Sequence, residues 1–247
     1  MLLLCALVAL MLSLPRPTSA QWRTGGMPVC TAPMNQEYPI MIEDGHGGAF
    51  IAWRDQRDSS ATGYDIYAQR IDANGVAQWT TNGVPVCTLT GDQANPNLTA
   101  DGADGVIVAW EDLRSGTRYQ IYAQRLSPTG ARLWGAGGVL LRDYGLSQYL
   151  DQYGHPSITA DGAGGAIVAW EESVTGTDED LRAQRIDATG ARLWTPDGVA
   201  VCTAASFQQC ATLISDGVGG VIITWEDWRF WPVAHVYAQR LIRTIRP

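Results

Sequence analysis

The sequence contains no lysine: all 17 basic residues are arginine, and they are outnumbered by 25 acidic residues. The formal net charge is −8, and the arginines do not form basic runs. Nucleic acids and anionic membrane surfaces bind proteins through clustered basic residues. The composition therefore argues against a nucleic acid or a membrane surface as partner.

Cysteine is also scarce, with five residues in 247, and no segment has the apolar periodicity of a helix. Cys30, Cys87 and Cys202 occupy the same position in three internal repeats, and Arg142 takes the fourth. Equivalent positions of a repeat structure lie far apart, so these cysteines are predicted to be small buried residues, not a disulfide framework. A local bond between Cys202 and Cys210 is left open by the sequence.

One apolar run extends from Leu2 to Leu14 and is followed by small residues up to Ala20. It is too short for a membrane-spanning helix, which needs about 20 apolar residues, and it has the layout of a secretory signal. Residues 1–20 are predicted to be a signal peptide and residues 21–247 a secreted, periplasmic or surface-exposed domain without membrane insertion. A retained N-terminal anchor is the alternative.

Tryptophan, in contrast, is abundant, and most of the ten tryptophans follow an internal repeat. Four units cover residues 22–78, 79–133, 134–193 and 194–247. Each unit begins with one tryptophan and contains a second. These residues are Trp22, Trp79, Trp134 and Trp194 at the starts, and Trp53, Trp110, Trp170 and Trp225 within the units.

Each unit contains several short strand signals separated by turns. In the third unit a strand is predicted to start at Pro156, followed by a hairpin turn at Asp161-Gly162 and by an apolar strand ending at Trp170. A strand over Leu181–Arg185 comes next, and the last is predicted at Ala191–Trp194. Four antiparallel strands in repeats of about 55–60 residues predict an all-β fold, a β-propeller of four blades, with another repeated β architecture as the alternative.

The two ends of the repeat array match each other. Gln21-Trp22 resembles the fourth-strand ending Gln78-Trp79, so the N-terminal strand is predicted to complete the last blade. Such closure would remove exposed strand edges. The alternatives are a truncated array from a longer multi-repeat surface protein and a fragment that pairs with another copy to form a larger ring.

The pattern DGxGGxIVAWxDxR followed by DIYAQR covers nearly all of residues 22–241. It is carried by Asp161–Gly165, Ala109–Arg114 and Asp65–Arg70, among others. This pattern resembles an uncharacterised class of secreted bacterial repeat proteins. The resemblance implies a β-propeller-like fold and a compartment outside the cytoplasm, and it implies no activity.

Each second tryptophan is followed two residues later by a carboxylate, and the next strand carries an arginine on an apolar face. Because a buried guanidinium needs a carboxylate, these groups are predicted to form structural ion pairs between neighbouring strands or blades. The carboxylates are Asp55, Asp112, Glu172 and Asp227, and the arginines are Arg70, Arg125, Arg185 and Arg240.

No metal or cofactor is predicted. The Asp-Gly turns lack the alternating aspartates of a strong calcium site, so plain hairpin turns are favoured over calcium loops. The three histidines, His46, His155 and His235, are not spaced like zinc ligands.

Segments that break the repeat are the predicted ligand site, because function usually resides in loops on a repeated scaffold. By strand order, these segments emerge on the propeller face that carries the links from second to third strands and from blade to blade. The alternative is that the same aromatic residues plug the narrow central channel or pack against neighbouring loops. The candidate ligand-binding residues are Trp228, Arg229, Phe230, Trp231, Tyr144, Tyr149 and Tyr153.

The sequence has no recognisable catalytic motif, and no catalytic residue is assigned. The predicted function is a secreted, non-catalytic module that binds or scaffolds a glycan, protein or peptide through this face. The alternative is a glycan-active hydrolase or lyase, since glycosidases need only two carboxylates. Asp151, Glu171 and Asp178 are then the candidate acids, because they break the repeat symmetry.

Overall fold

A computed structural model describes residues 22–142, 155–173 and 178–243 of the chain. Within these ranges all regular structure is β-strand. The strands are β1 (Gln36–Glu43), β2 (Ala49–Asp55), β3 (Asp65–Ile71), β4 (Val84–Cys87), β5 (Gln93–Ala100), β6 (Val106–Asp112), β7 (Gln120–Leu126), β8 (Val139–Arg142), β9 (Ser157–Ala160), β10 (Ala166–Glu172), β11 (Asp180–Ile186), β12 (Val199–Cys202), β13 (Gln208–Ser215), β14 (Val221–Phe230) and β15 (Val233–Leu241).

The strands form four antiparallel sheets in chain order, β1–β4, β5–β8, β9–β12 and β13–β15. The first strands of neighbouring sheets contact one another, so β1, β5, β9 and β13 form the inner edge of the array. The predicted all-β propeller of four blades is confirmed. We call the face with the links between second and third strands the upper face, and the face with the Asp-Gly turns the lower face.

Two strand positions differ from the sequence-based prediction. The first strand of a blade was predicted to start at the proline position. In three of the four blades it starts three residues earlier, as β5 does at Gln93, because a bulge accommodates Pro96 within the strand. The segment Ala191–Trp194 is not the last strand and makes only a single bridge to β11. The outer strand comes after this segment, as β12 at Val199–Cys202, so each blade ends in the next sequence repeat.

Neighbouring blades pack face to face through apolar side chains. We call the face of a blade that packs on the next blade along the chain its back, and the opposite face its front. Ile66 and Ala68 of β3, on the back of the first blade, meet Leu98, Val108 and Trp110 on the front of the second blade. All five are almost completely buried. Burial of one such large side chain stabilises the fold by about 1.5–3 kcal/mol, so these interfaces hold the array together.

In the first three blades a buried glutamine fixes the tryptophan segment that follows the third strand. The Gln69 side chain accepts a hydrogen bond from the Trp79 amide at 2.9 Å and donates to the Thr80 carbonyl oxygen at 2.9 Å. The Trp79 ring lies over Gly130 of the next blade, where an added Cβ would come within 3.0 Å of it. Gln124 and Gln184 hold Trp134 and Trp194 in the same way.

The Trp-x-Asp-x-Arg motif forms a compact polar knot at the end of each regular second strand. In the second blade, Trp110 Nε1 donates to Asp112 Oδ2 at 2.8 Å, and Arg114 binds both oxygens of that carboxylate. The guanidinium also lies 3.7 Å from the Tyr122 ring centroid and 3.4 Å from the Cys87 sulfur. Burial raises the pKa of the Cys87 thiol to about 11, which keeps it protonated and chemically inert.

The other repeated cysteines take the same place. Cys30 and Cys202 each accept a hydrogen bond from the arginine of a knot, Arg57 and Arg229 respectively, at 3.4 Å. Cys202 and Cys210 are both in the thiol form, so the local disulfide left open by the sequence is not formed.

The third blade builds the same knot from different residues. Glu172 replaces the aspartate, and Arg142 stands in the place of the cysteine, where its Nε donates to Glu172 Oε2 at 2.9 Å. Arg182 replaces the tyrosine and pairs with Glu172 as well. Trp170 Nε1 has no hydrogen-bond partner among the described residues. In the other blades the guanidinium comes from the arginine of the motif itself. In the third blade it comes from Arg142 on β8 of the second blade and from Arg182 on β11.

The predicted partners of the strand-three arginines were wrong. Each arginine pairs with the aspartate of its own blade's Asp-Gly turn, as Arg185 does with Asp161 at 2.7 Å. The antiparallel register explains this, because Arg70 lies opposite Phe50, five residues or about 16 Å before Asp55. The remaining pairs are Arg70–Asp44, Arg125–Asp101 and Arg240–Asp216.

The fourth blade lacks the predicted closing strand. Its sheet has three strands, and no described residue pairs with the outer edge of β15. Trp22 forms no strand and lies against Gly75 in the lower-face turn of the first blade. The N-terminal segment thus packs on the first blade, as the outer segment of a preceding blade would.

The ion pairs of the Asp-Gly turns lead to a test of stability. Arg185 and Asp161 are both almost fully buried, whereas the Arg240 side chain is 53% exposed. Arg185→Ala leaves a buried carboxylate without its charge partner, so we expect a loss of about 3–5 kcal/mol in the free energy of unfolding. The matched Arg240→Ala should cost clearly less, because Arg240 is already half exposed and water can take its place beside Asp216. Equal costs in denaturant titrations would contradict this account.

Candidate functional site

The structure describes four of the seven predicted ligand-binding residues, and they lie on a hairpin of the upper face. This hairpin extends β14 and β15 beyond the length of the other blades and turns at Trp231-Pro232. Trp231 is 69% exposed, Phe230 is exposed, and the Trp228 ring lies 5.5 Å from that of Trp231. We call residues 228–231 the aromatic hairpin. Tyr144, Tyr149, Tyr153 and the candidate acid Asp151 lie outside the described residues.

Arg229 has a structural role in the scaffold. Its guanidinium binds both oxygens of Asp227 and lies 4.2 Å from the Tyr237 ring centroid. The same contacts are made by Arg57 and Arg114 in the first two blades. The residue that the broken repeat singled out is therefore the regular arginine of the knot.

The inner edge of the upper face has a repeated irregularity. Tyr38, Asn95 and Cys210 occupy equivalent bulges in β1, β5 and β13, and each has a positive φ, between 52° and 56°. A bulge of this kind redirects side chains next to it, and bulges are enriched beside functional sites. We call the bulges and the neighbouring ends of the second strands the inner rim.

Two buried glutamates lie at the inner rim. Glu111 and Glu171 are the penultimate residues of β6 and β10, so they hold the same position in adjacent blades. Glu111 accepts a hydrogen bond from the Asn95 side chain at 2.9 Å, and Glu171 accepts one from the Ala211 amide at 3.3 Å. The equivalent residue of the fourth blade, Glu226, is exposed.

In the first blade the same position is an arginine surrounded by aromatic rings. Arg54 pairs with Glu37 at 2.5 Å, and its guanidinium lies 4.6 Å from the Tyr38 ring centroid and 4.3 Å from that of Tyr64. Tyr38 is 64% exposed. The first blade therefore exposes the Tyr38 ring at the rim, with the paired Arg54 guanidinium packed against it.

Tyr119, just before β7 of the second blade, is a buried residue whose pKa is influenced by its burial and by the charges of Glu111 and Arg54. Burial raises the pKa of Tyr119 to about 12, and the nearby carboxylates of Asp92 and Glu111 add to the rise. The hydroxyl therefore keeps its proton at any physiological pH.

The third candidate acid, Asp178, precedes β11 on the upper face. Burial raises the pKa of Asp180, and the charge of Asp178 raises it further. Glu179 lies between them and accepts a hydrogen bond from the Gln209 side chain at 2.6 Å. This acidic run joins the third blade to the fourth.

The carboxylates of the lower-face turns are occupied by the turns themselves. Asp161 Oδ1 accepts the amides of Ala163 and Gly165, both at 2.8 Å, and Oδ2 binds Arg185. Both oxygens are therefore engaged without a calcium ion. Among the described residues no group of three His, Cys, Asp or Glu side chains is placed to hold a metal ion.

The inner rim was largely missed by sequence reasoning. Only Glu171 was named as a candidate site residue, because Tyr38, Asn95 and Cys210 share no chemistry that a repeat search would align. The available signal was the proline that follows the first two bulges, at Pro39 and Pro96, since proline within a strand indicates a bulge.

Comparison with known proteins gives the fold. No family model and no curated protein matches the chain. Among solved structures, a Hadza microbial sialidase matches at 13% identity with a TM-score of 0.56, covering 85% of this chain and 45% of the sialidase. A protein of unknown function from Dyadobacter fermentans matches at 12% identity with a TM-score of 0.55, covering 85% of this chain and 67% of that protein.

An α-L-arabinofuranosidase from Lactobacillus brevis is more distant, at 10% identity and a TM-score of 0.47, covering 82% of this chain and 71% of the enzyme. Identities this low establish similarity of fold alone.

A search of the described residues for a helix long and apolar enough to cross a membrane finds none.

Asp65 is a buried acid on the outer side of the rim. Thr62 Oγ1 donates to its Oδ2 at 3.0 Å, whereas Oδ1 has no hydrogen-bond partner among the described residues. Burial raises the pKa of Asp65 to about 6, the Thr62 hydrogen bond opposes the rise, and the Asp58 and Asp55 carboxylates add to it.

This raised pKa predicts how stability depends on pH. Between about pH 4 and pH 6 the folded protein binds more protons at Asp65 than the unfolded protein does. Protonation of Asp65 therefore stabilises the fold at low pH, and this stabilisation is lost as the pH rises through about 6. The free energy of unfolding should fall by about 3 kcal/mol across this range. Asp65→Asn should therefore melt at a higher temperature than wild type at pH 7.5 and at a similar temperature at pH 4. A difference that does not vary with pH would refute this prediction.

Proposed function

We propose that this protein binds glycans across the inner rim of its upper face and hydrolyses them there. The observation that carries the proposal is the placement of Glu111 and Glu171, two buried carboxyl groups at one repeat position in adjacent blades. The other two blades have an arginine and an exposed glutamate there, so the pair is specific to the second and third blades.

Two carboxyl groups are the minimum that glycoside hydrolysis requires. One donates a proton to the leaving oxygen, and the other acts as nucleophile or activates water. Asn95 orients Glu111, and the backbone of Ala211 orients Glu171.

The first blade would supply the binding surface next to this pair. Sugar rings stack on aromatic faces, and the exposed Tyr38 ring lies against the guanidinium of Arg54. The aromatic hairpin of the fourth blade adds a second exposed surface on the same face. A sugar chain could therefore be held on both sides of the carboxyl groups.

The charge of the protein favours a neutral glycan. The chain carries a net charge of −8, and Arg54 is already paired with Glu37. An anionic sugar would meet unfavourable long-range potential at this surface. A sialidase among the proteins of the same fold supports a glycan as the substrate class, while the charge favours uncharged members of that class.

Glycan binding without hydrolysis is the second candidate function. It is favoured by the aromatic hairpin, because exposed tryptophan and phenylalanine side chains provide affinity and need no catalytic group.

The carboxyl pair gives the first test. Glu111→Gln and Glu171→Gln preserve side-chain size but remove the acid or base function of the carboxyl group. Each should therefore lower the turnover of a neutral polysaccharide at least about a hundredfold. Glu226→Gln, at the same position of the fourth blade, is the matched control and should keep wild-type activity. Reducing-sugar release is measured on a panel of neutral and sialylated glycans. Equal activity of all three variants would refute the catalytic assignment, and binding without turnover by wild type would favour the second candidate.

The aromatic hairpin gives the second test. Trp231→Ala should weaken binding to neutral oligosaccharides at least about fivefold, because an exposed tryptophan at a binding surface typically contributes more than about 1 kcal/mol. Trp22→Ala is the control, since Trp22 is also exposed and lies at the lower-face turn of the first blade. Affinities are compared by calorimetry. Unchanged affinity in Trp231→Ala would remove the hairpin from the site.

A further inference from the structure

The back of the fourth blade is an uncovered copy of a surface that is buried in the other blades. In the first three blades, Ile66, Ile121 and Leu181 on the third strand are fully buried by the blade or strand that follows. The equivalent residue of β15 is Val236, which is 81% exposed. Ala238 and Gln239 are exposed as well, although their counterparts in other blades are buried.

The front of the first blade is uncovered in the complementary way. Met41 is 67% exposed, whereas Leu98, its counterpart in the second blade, is buried against the first blade. An apolar cavity of about 260 Å³ opens beside it, with Val29, Ile51 and Trp53 in its lining. This cavity is where the back of a preceding blade would fit.

The N-terminal segment already holds the position of the outer strand of that missing blade. Val29 and Cys30 pack on Trp53, and Cys30 accepts a hydrogen bond from Arg57 at 3.4 Å. Cys87, the outer-strand residue of the first blade, makes the same contact with Arg114 of the second. Residues 27–30 therefore have the environment of an outer strand, and no third strand lies beside them among the described residues.

The register of the complete blades specifies how the two edges match. The outer-strand residue pairs with the third strand as Ile66 with Cys87 and as Leu181 with Cys202. The same register places Cys30 opposite Val236. It also places Gln239 where it can hold Trp22, as Gln69 holds Trp79.

We infer that the two edges join head to tail between two copies of this chain. Residues 22–30 of one copy complete the fourth blade of the other, and the front of the first blade covers Val236. Two equal contacts related by a twofold axis close a ring without leaving a strand edge. The interfaces within the chain indicate that a second copy is the partner. At each of them, the back of one blade is covered by the front of another blade of the same kind.

The test introduces one cysteine opposite a native one. Val236→Cys should form a disulfide with Cys30, since cross-strand neighbours lie within bonding distance. Because Val236 is exposed, the substitution should not affect folding of the individual chain. Cys30→Ser in the same background should abolish the bond, and Val233→Cys, exposed on the same strand but outside the register, is the matched control.

The products are separated on a non-reducing gel and mapped by mass spectrometry. The expected result is a bond between Cys30 and the thiol introduced at position 236, in a species of twice the chain mass that contains most of the protein and is absent from both controls. The same bond within a single chain would overturn the inference in favour of a closed four-bladed ring. No bond, or equal cross-linking by Val233→Cys, would also overturn it and leave the edges for another partner.

Discussion

The packing of one apolar blade face on another is the interaction on which this structure depends. Each sheet has only three or four short strands, and its second strand is completely buried only where neighbouring blades cover both of its faces. β6 and β10, which are completely buried, have neighbours on both sides, whereas the outer faces of the first and fourth blades remain open. The polar knots and the Asp-Gly ion pairs fix the ends of strands that this packing has already brought together.

The same regularity explains where a site can form. Repetition fills most positions with scaffold residues, and the knots use the carboxylates, guanidinium groups and thiols that otherwise look chemically active. The inner rim differs because a bulge repeats there while the side chains change from blade to blade. Chemistry can vary at the rim without disturbing the packed faces, which is why Glu111, Glu171 and Arg54 can share one position in the fold.

Much of the fold could be predicted from the sequence, because tryptophan spacing and Asp-Gly turns define the repeat. The partners of the arginines could not, because the antiparallel register places Arg70 beside Asp44 and far from Asp55. In the third blade the sequence showed only that the Trp-x-Asp-x-Arg motif was missing. It did not show that Arg142, on the outer strand of the second blade, takes the place of the motif's arginine. The rim was missed because Tyr38, Asn95 and Cys210 have a backbone conformation in common and no side-chain chemistry.

Hydrogen exchange of the wild-type protein, measured with and without a bound neutral oligosaccharide, tests most directly whether the inner rim is the ligand site. The account predicts slower exchange at backbone amides of residues 36–38, 93–95 and 170–172, where the bulges and the second strands meet. Slower exchange confined to the lower-face turns, at residues 44–48, 101–105 and 161–165, would contradict it.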